Sequence, residues 1–190
     1  MTVYSTDELP PCPLWDYATE IYSEKKVSDA CLRLQDRHEI DVNLLLFCLW
    51  SGAFGWSTLT AIELSQALDI SAGWQLPIVV PLRTVRNGLK NSSSPAGEKF
   101  KQALRKNVLE SELYAERLEL KMLGKLINRP AKNSKDEQAC AANAAENLTA
   151  YLRGEVERLT PNDIADILII WQTAFLNAKD ELLMKPLTTV

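Results

Sequence analysis

The chain has 190 residues, 46% of them hydrophobic and 24% charged, ordinary globular values that exclude a disordered or fibrous polymer. A chain of this length buries roughly 70% of its unfolded surface, and one domain is the default. Its net charge of -4 gives no bulk attraction to phosphate backbones or anionic lipid, which disfavours nucleic acid and a membrane surface as partners.

The first residues, MTVYSTDELPPCP, place acids and prolines where a secretory leader would carry a basic and then an apolar stretch, so a cytoplasmic chain is expected. Helical periodicity dominates from there on. The expected fold is all-α, a single-domain bundle of about seven helices over residues 1–190 around a central apolar helix at 42–51. Leu14, Ala18 and Ile21 share one face of a first helix ending near Ser23, with Lys25 and Lys26 as a polar break. Ser28 is suited to cap a second helix, whose stripe is Val27, Cys31, Leu34 and His38.

Asp41 can cap the next helix, from Val42 to about Ser51, which Gly52 and Gly55 interrupt. Its unbroken run Leu44 to Trp50 is far shorter than the roughly 20 residues of a membrane span and reads as a core helix surrounded by others. Thr60 and Glu63 have capping-box spacing for a fourth helix to Leu68. Ile78, Leu82, Val85 and Leu89 form the stripe of a fifth, with regular structure starting around Pro81.

A polar linker near 91–94 precedes a long helix that starts at Ser94 and Pro95 and reaches about Asn128, with a break possible near Asn107. A second polar linker covers 129–137, and an alanine-rich helix then runs to Arg153. Thr160, Pro161 and Asp163 start a last helix whose stripe Ile164, Leu168, Trp171, Phe175 and Leu182 continues to Met184, before a frayed tail at 185–190.

The four cysteines contain no C-x-x-C pair, and the chain has one histidine, which disfavours zinc; no cofactor is expected, although a magnesium-type site of carboxylates and water, usually accompanied by a phosphorylated substrate, stays open. Chemistry, if present, belongs to buried polar groups. In the long helix Leu109, Leu113, Glu116, Leu120, Leu123 and Ile127 recur at coiled-coil spacing and put Glu116 in a core position, with Glu112 and Glu119 flanking it. A lone buried carboxylate is expensive and demands a cation or a proton. The expected candidate cluster joins Gln35, His38, Asp41 and Asn43 at one helix junction to Glu112 and Glu116, with Arg83 or Arg86 closing it and His38 opposite Glu116. No catalytic signature accompanies these residues, and Ser51 has nothing to place it as a nucleophile beside His38.

The string Leu34-Gln35-Asp36-Arg37-His38 followed by Asp41-Val42-Asn43-Leu44-Leu45-Leu46-Phe47 resembles the signature of an uncharacterised proteobacterial family, a domain of unknown function. Leu14-Trp15, Pro81 through Arg86 and Glu110 through Glu119 support the resemblance, which fades after Arg129. It implies a small cytoplasmic helical protein and brings no activity or site residues. The resulting expectation is a non-enzymatic interaction or regulatory protein, with a protein partner or self-association. The alternative is a helical enzyme or small-ligand binder, taking an apolar or anionic ligand through a His/Glu/Arg cluster.

Overall fold

A computed structural model describes residues 11–91, 93, 97–129 and 136–188, and all regular structure among them is helical. In chain order the helices are α1 (Pro13–Ser23), α2 (Lys25–His38), α3 (Val42–Ala53), α4 (Ala61–Trp74), α5 (Val80–Asn91), α6 (Glu98–Gly124), α7 (Glu137–Glu155), α8 (Pro161–Ala174) and α9 (Glu181–Leu187). A π-helical segment, Gln75–Val79, joins α4 to α5.

Local chemistry explains most of the starts. Asp41 accepts the Asn43 N–H at 2.8 Å and opens α3. Thr60 with Glu63, and Thr160 with Asp163, form reciprocal capping boxes at α4 and α8. The break expected at Lys25 and Lys26 shrinks to Glu24 alone. Lys25 is already helical and reaches Asp29 four residues on at 2.7 Å, while the Ser28 hydroxyl returns to the Lys25 carbonyl instead of capping.

Every residue from Leu44 to Gly52 is buried, because α3 lies between neighbours on several sides: α1, α4, α6, α7 and α8 all pack on it. Its contact with α7 is the most extensive between any two helices. The two approach closely at Gly52 and Ala144, small residues that let the backbones come together.

Three boundaries differ from expectation. First, α4 does not stop near Leu68 but runs through the π segment into α5. Pro77 and Pro81 have no N–H to return to the preceding turn, and the widened turn absorbs them, with the Val80 N–H bonding the Gln75 carbonyl five residues back. Second, α6 starts at Glu98 instead of at Ser94 and Pro95, which lie outside the described residues, because Gly97 with φ 96° stands outside helical conformation and caps it; it then passes Asn107 as one helix and ends at Gly124 instead of near Asn128. Third, the last helix is two.

Phe175 leaves helical conformation because α7 holds the following turn: Glu137 accepts both the backbone and side-chain N–H of Asn177 at 3.0 Å, and the Gln138 side chain bonds the Asn177 carbonyl. That turn sends α9 back onto α7 and buries Leu183 and Leu187, so the tail expected to fray from 185 is packed through Leu187. The linkers expected at 91–94 and 129–137 lie largely outside the described residues.

In α6 no residue before Glu112 is buried, and α5 buries none. Helix α5 and residues 98–111 of α6 therefore form an arm whose base alone joins the core.

Gly52→Ala would place a methyl 2.5 Å from the Ala144 Cα and push α3 and α7 apart. A loss of about 2 kcal/mol or more is expected in urea unfolding. Gly73→Ala, whose added methyl meets nothing within 4 Å, is the control and should be neutral or slightly stabilising.

Candidate functional site

Helix α6 packs on two fronts, and this settles which carboxylates are deep. Near its C-terminal end Leu120, Leu123 and the following Ile127 face the core, while Glu112, Ala115 and Glu119 are buried toward α5 and the π segment. Glu112 is 3% exposed and Glu119 0%, whereas the Glu116 side chain, expected in the core position, is 22% exposed. The flanking glutamates of the seam are thus the buried ones.

Glu112 is held by two guanidinium groups. Arg83 donates through Nε to its Oε1 at 3.0 Å, and Arg86 donates through Nε to Oε2 at 2.5 Å and through Nη2 to Oε1 at 3.2 Å. Arg83 also reaches Glu116 through Nη2 at 3.0 Å. Burial raises the Glu116 carboxyl above its ordinary range, with Arg83 opposing and Glu112 adding to the rise. For Arg83 burial works to strip the proton, but its bond to Glu112 and the two carboxylates outweigh this and raise its pKa.

One helical turn deeper, Glu119 has a different environment. Its Oε2 accepts from the side-chain amides of Asn43 and Gln75, each at 2.8 Å, and no N–H reaches Oε1. Burial, followed by the neighbouring Asp41 carboxyl, pushes the Glu119 pKa up to about 9, so it keeps its proton through neutral pH. Asp41 itself caps α3, accepts the Ser71 hydroxyl and lies near the Gln75 amide at 3.4 Å. Tyr151 of α7 brackets its backbone, accepting the Asp41 N–H at 2.8 Å and donating to the Asp41 carbonyl at 3.1 Å. Burial raises that phenol far above its usual value.

His38 belongs to a separate network. Its Nε2 lies 3.0 Å from Asp163 Oδ2 on α8, off the line of a ring N–H bond. Arg37 bridges Asp163 and Asp166 at 2.6 Å each, and Arg33 reaches Asp166 at 2.5 Å. For Asp163 burial alone would raise the pKa, but the Thr160 hydroxyl and N–H, His38 and Arg37 hold it well below the carboxylate range.

The expected single junction is therefore two. Asp41 and Asn43 meet the acidic face of α6, and Arg83 and Arg86 close it together. His38 faces α8 instead of Glu116, and Gln35 contributes its carbonyl to the end of α2 and no side-chain bond to the cluster. Ser51 is spent on the Cys48 carbonyl and on Asn147. Ser71, Gln75, Tyr151, Asp163 and Asp166 were not anticipated. Ser71 and Gln75 share a helix face four residues apart and carried a usable signal; Tyr151 and the two aspartates did not, since their partners are more than a hundred residues away. Among the described residues no three His, Cys, Asp or Glu side chains converge as a metal site. An open surface depression of about 390 Å³ is lined by Gln66, Asp69, Ile70 and Leu126, outside both networks.

Two outcomes follow from this geometry. Glu112→Ala strands Arg86 and leaves Arg83 with Glu116 alone at a partly buried site, and should cost on the order of 3 kcal/mol in chemical denaturation. Glu119 is raised in the folded state relative to 4.5, so its contribution to stability is full below pH 4.5 and is lost as pH rises through about 9. Urea unfolding across that interval should show stability falling in the native chain and a flatter profile in Glu119→Gln, which keeps an acceptor for Asn43 and Gln75. Asp163, lowered from 3.8, has the opposite sign, its contribution being present above that pH and lost below it.

No curated protein and no solved structure matches the chain. Residues 13–123 match the family model described as "Protein of unknown function (DUF2390)". That span contains Asp41, Asn43, Ser71, Gln75, Arg83, Arg86, Glu112, Glu116 and Glu119, whereas Tyr151, Asp163 and Asp166 lie beyond it. With more than half of its length matched, the chain belongs to this family of unknown function.

Proposed function

We propose that this chain is a non-enzymatic interaction or regulatory protein and that its polar centre is structural. The observation that carries the reading is that the charged and amide groups of the centre are spent on one another. Glu112 takes two guanidinium groups, Glu119 two amides and a proton, and Asp41 a hydroxyl and a helix N-terminus. Buried groups so arranged specify the register of α3, α5, α6 and the π segment more than they add stability. A protein partner or a second copy and a cytoplasmic location go with this reading; none of the described helices is long and apolar enough to cross a membrane.

The second reading, a helical enzyme or small-ligand binder with an arginine clamp, draws on one feature. Arg83 and Glu116 are about a quarter exposed at the margin of the cluster, within reach of an anionic ligand. Its histidine, however, is engaged with Asp163 on another face.

Glu116→Gln and His38→Gln discriminate the two. Complementation of a strain lacking the chain is compared with the melting temperature of each variant. The structural reading expects loss of function only in proportion to loss of stability. Lost complementation with an unchanged melting temperature would overturn it in favour of a site.

A further inference from the structure

Of the twelve large hydrophobic side chains that are exposed among the described residues, eight lie between Leu76 and Leu113, in the π segment and the α5–α6 arm. They are not scattered singly. Leu109 and Leu113, 36% and 43% exposed, lie on the same heptad stripe as Leu120, Leu123 and Ile127, which are buried. Phe100 and Leu104 form a second i,i+4 pair on the opposite face of the same helix, half a turn from Leu109 and Leu113, and the stripe itself runs on outward to Lys106 and Lys99. A core-type stripe therefore continues outward along α6 past the end of the core as Leu113 and Leu109, with α5 packed beside it. Such a two-helix surface is completed by a third helix whose own leucines recur at three- and four-residue spacing.

Charge selects the occupant. With the two glutamates that pair with its arginines counted in, residues 80–116 hold seven lysines and arginines against four glutamates, while the rest of the chain has fourteen against twenty-one acids. Pairing two arms of this chain would bring like charge together, which suppresses association. An anionic bilayer or a nucleic acid would attract the arm but repel the strongly acidic body to which it is joined within a short distance. An amphipathic helix with acidic flanks meets both the stripe and the cations, including exposed Lys90 and Lys99 and the Lys106 side chain, which is 76% exposed.

We infer that the α5–α6 arm is the docking surface for an acidic amphipathic helix of a protein partner, which completes a three-helix bundle with it. This rests on the interaction reading above and names its surface.

The test titrates the full chain against a labelled synthetic helix with leucines at heptad a and d positions and glutamates beside them, followed by fluorescence anisotropy. Parallel titrations use a peptide of the same composition with the leucines scattered, a lysine-for-glutamate peptide, vesicles of phosphatidylcholine with phosphatidylserine, and a DNA oligonucleotide. Sedimentation reports self-association. The expected result is saturable binding of the striped acidic helix alone, weakened about tenfold or more by Leu109→Glu with Leu113→Glu and, separately, by Lys99→Glu with Lys106→Glu. Unchanged melting temperatures show that these variants fold.

Absence of saturable binding to the striped acidic helix overturns the inference. So does equal binding of the scattered or basic peptide, preferential binding of vesicles or DNA, or dimerisation abolished by the leucine variants. These failures leave the interaction reading standing, whereas a complementation defect in a stable Glu116→Gln variant removes that reading whatever the peptide does.

Discussion

Two carboxylates seven residues apart on α6, Glu112 and Glu119, sit almost entirely out of water, and the architecture around them is organised by that constraint. Desolvating a carboxylate costs several kcal/mol after relaxation, and the attraction of a partner offsets this only when the geometry is good. The chain meets the cost in two different ways. Glu112 is neutralised by the forked guanidinium groups of Arg83 and Arg86, while Glu119 keeps a proton and accepts amide N–H groups from α3 and the π segment. Sliding α5 by one turn along α6 would strand both arginines, so this pairing sets the register of the arm.

The π segment is part of the same solution. Prolines at 77 and 81 forbid a regular helix at the point where Gln75 must reach Glu119 and Asp41, and the widened turn keeps the chain helical through that point. Trp74, next to it, ties α4 to the Ala115 carbonyl at 2.9 Å. With its base clamped in this way, α6 extends outward: its 27 residues span about 40 Å, longer than the core that flanks it. The basic, partly apolar arm is the consequence.

What was readable in advance was local. The caps at Asp41, Thr60 and Thr160 join residues two or three apart, and the run Leu44 to Trp50 leaves no polar face, so a central helix follows from composition alone. The acidic character of one edge of α6 and the nearby Arg83 and Arg86 were readable for the same reason. Heptad arithmetic pointed to Glu116 as the buried acid, and this failed because it assumes one packing front. α6 has two, toward the core and toward α5, and the second front passes through Glu112 and Glu119.

His38 shows the remaining gap. Its stripe, Val27, Cys31 and Leu34, is buried as the spacing implies, yet the wall facing His38 is Asp163 of α8 and not α6. The split between α8 and α9 has the same origin, since side chains of Glu137 and Gln138 hold the turn at Asn177 from forty residues away. By itself the sequence determined the helical class, the helix starts capped by Asp41, Thr60 and Thr160, and the central apolar helix, because those depend on bonds within one turn and on the balance of apolar and polar residues. Tertiary structure alone decided which carboxylates are buried, which cations answer them and where the last helix breaks. Those outcomes depend on which faces meet, a choice made by packing between segments that no local spacing records.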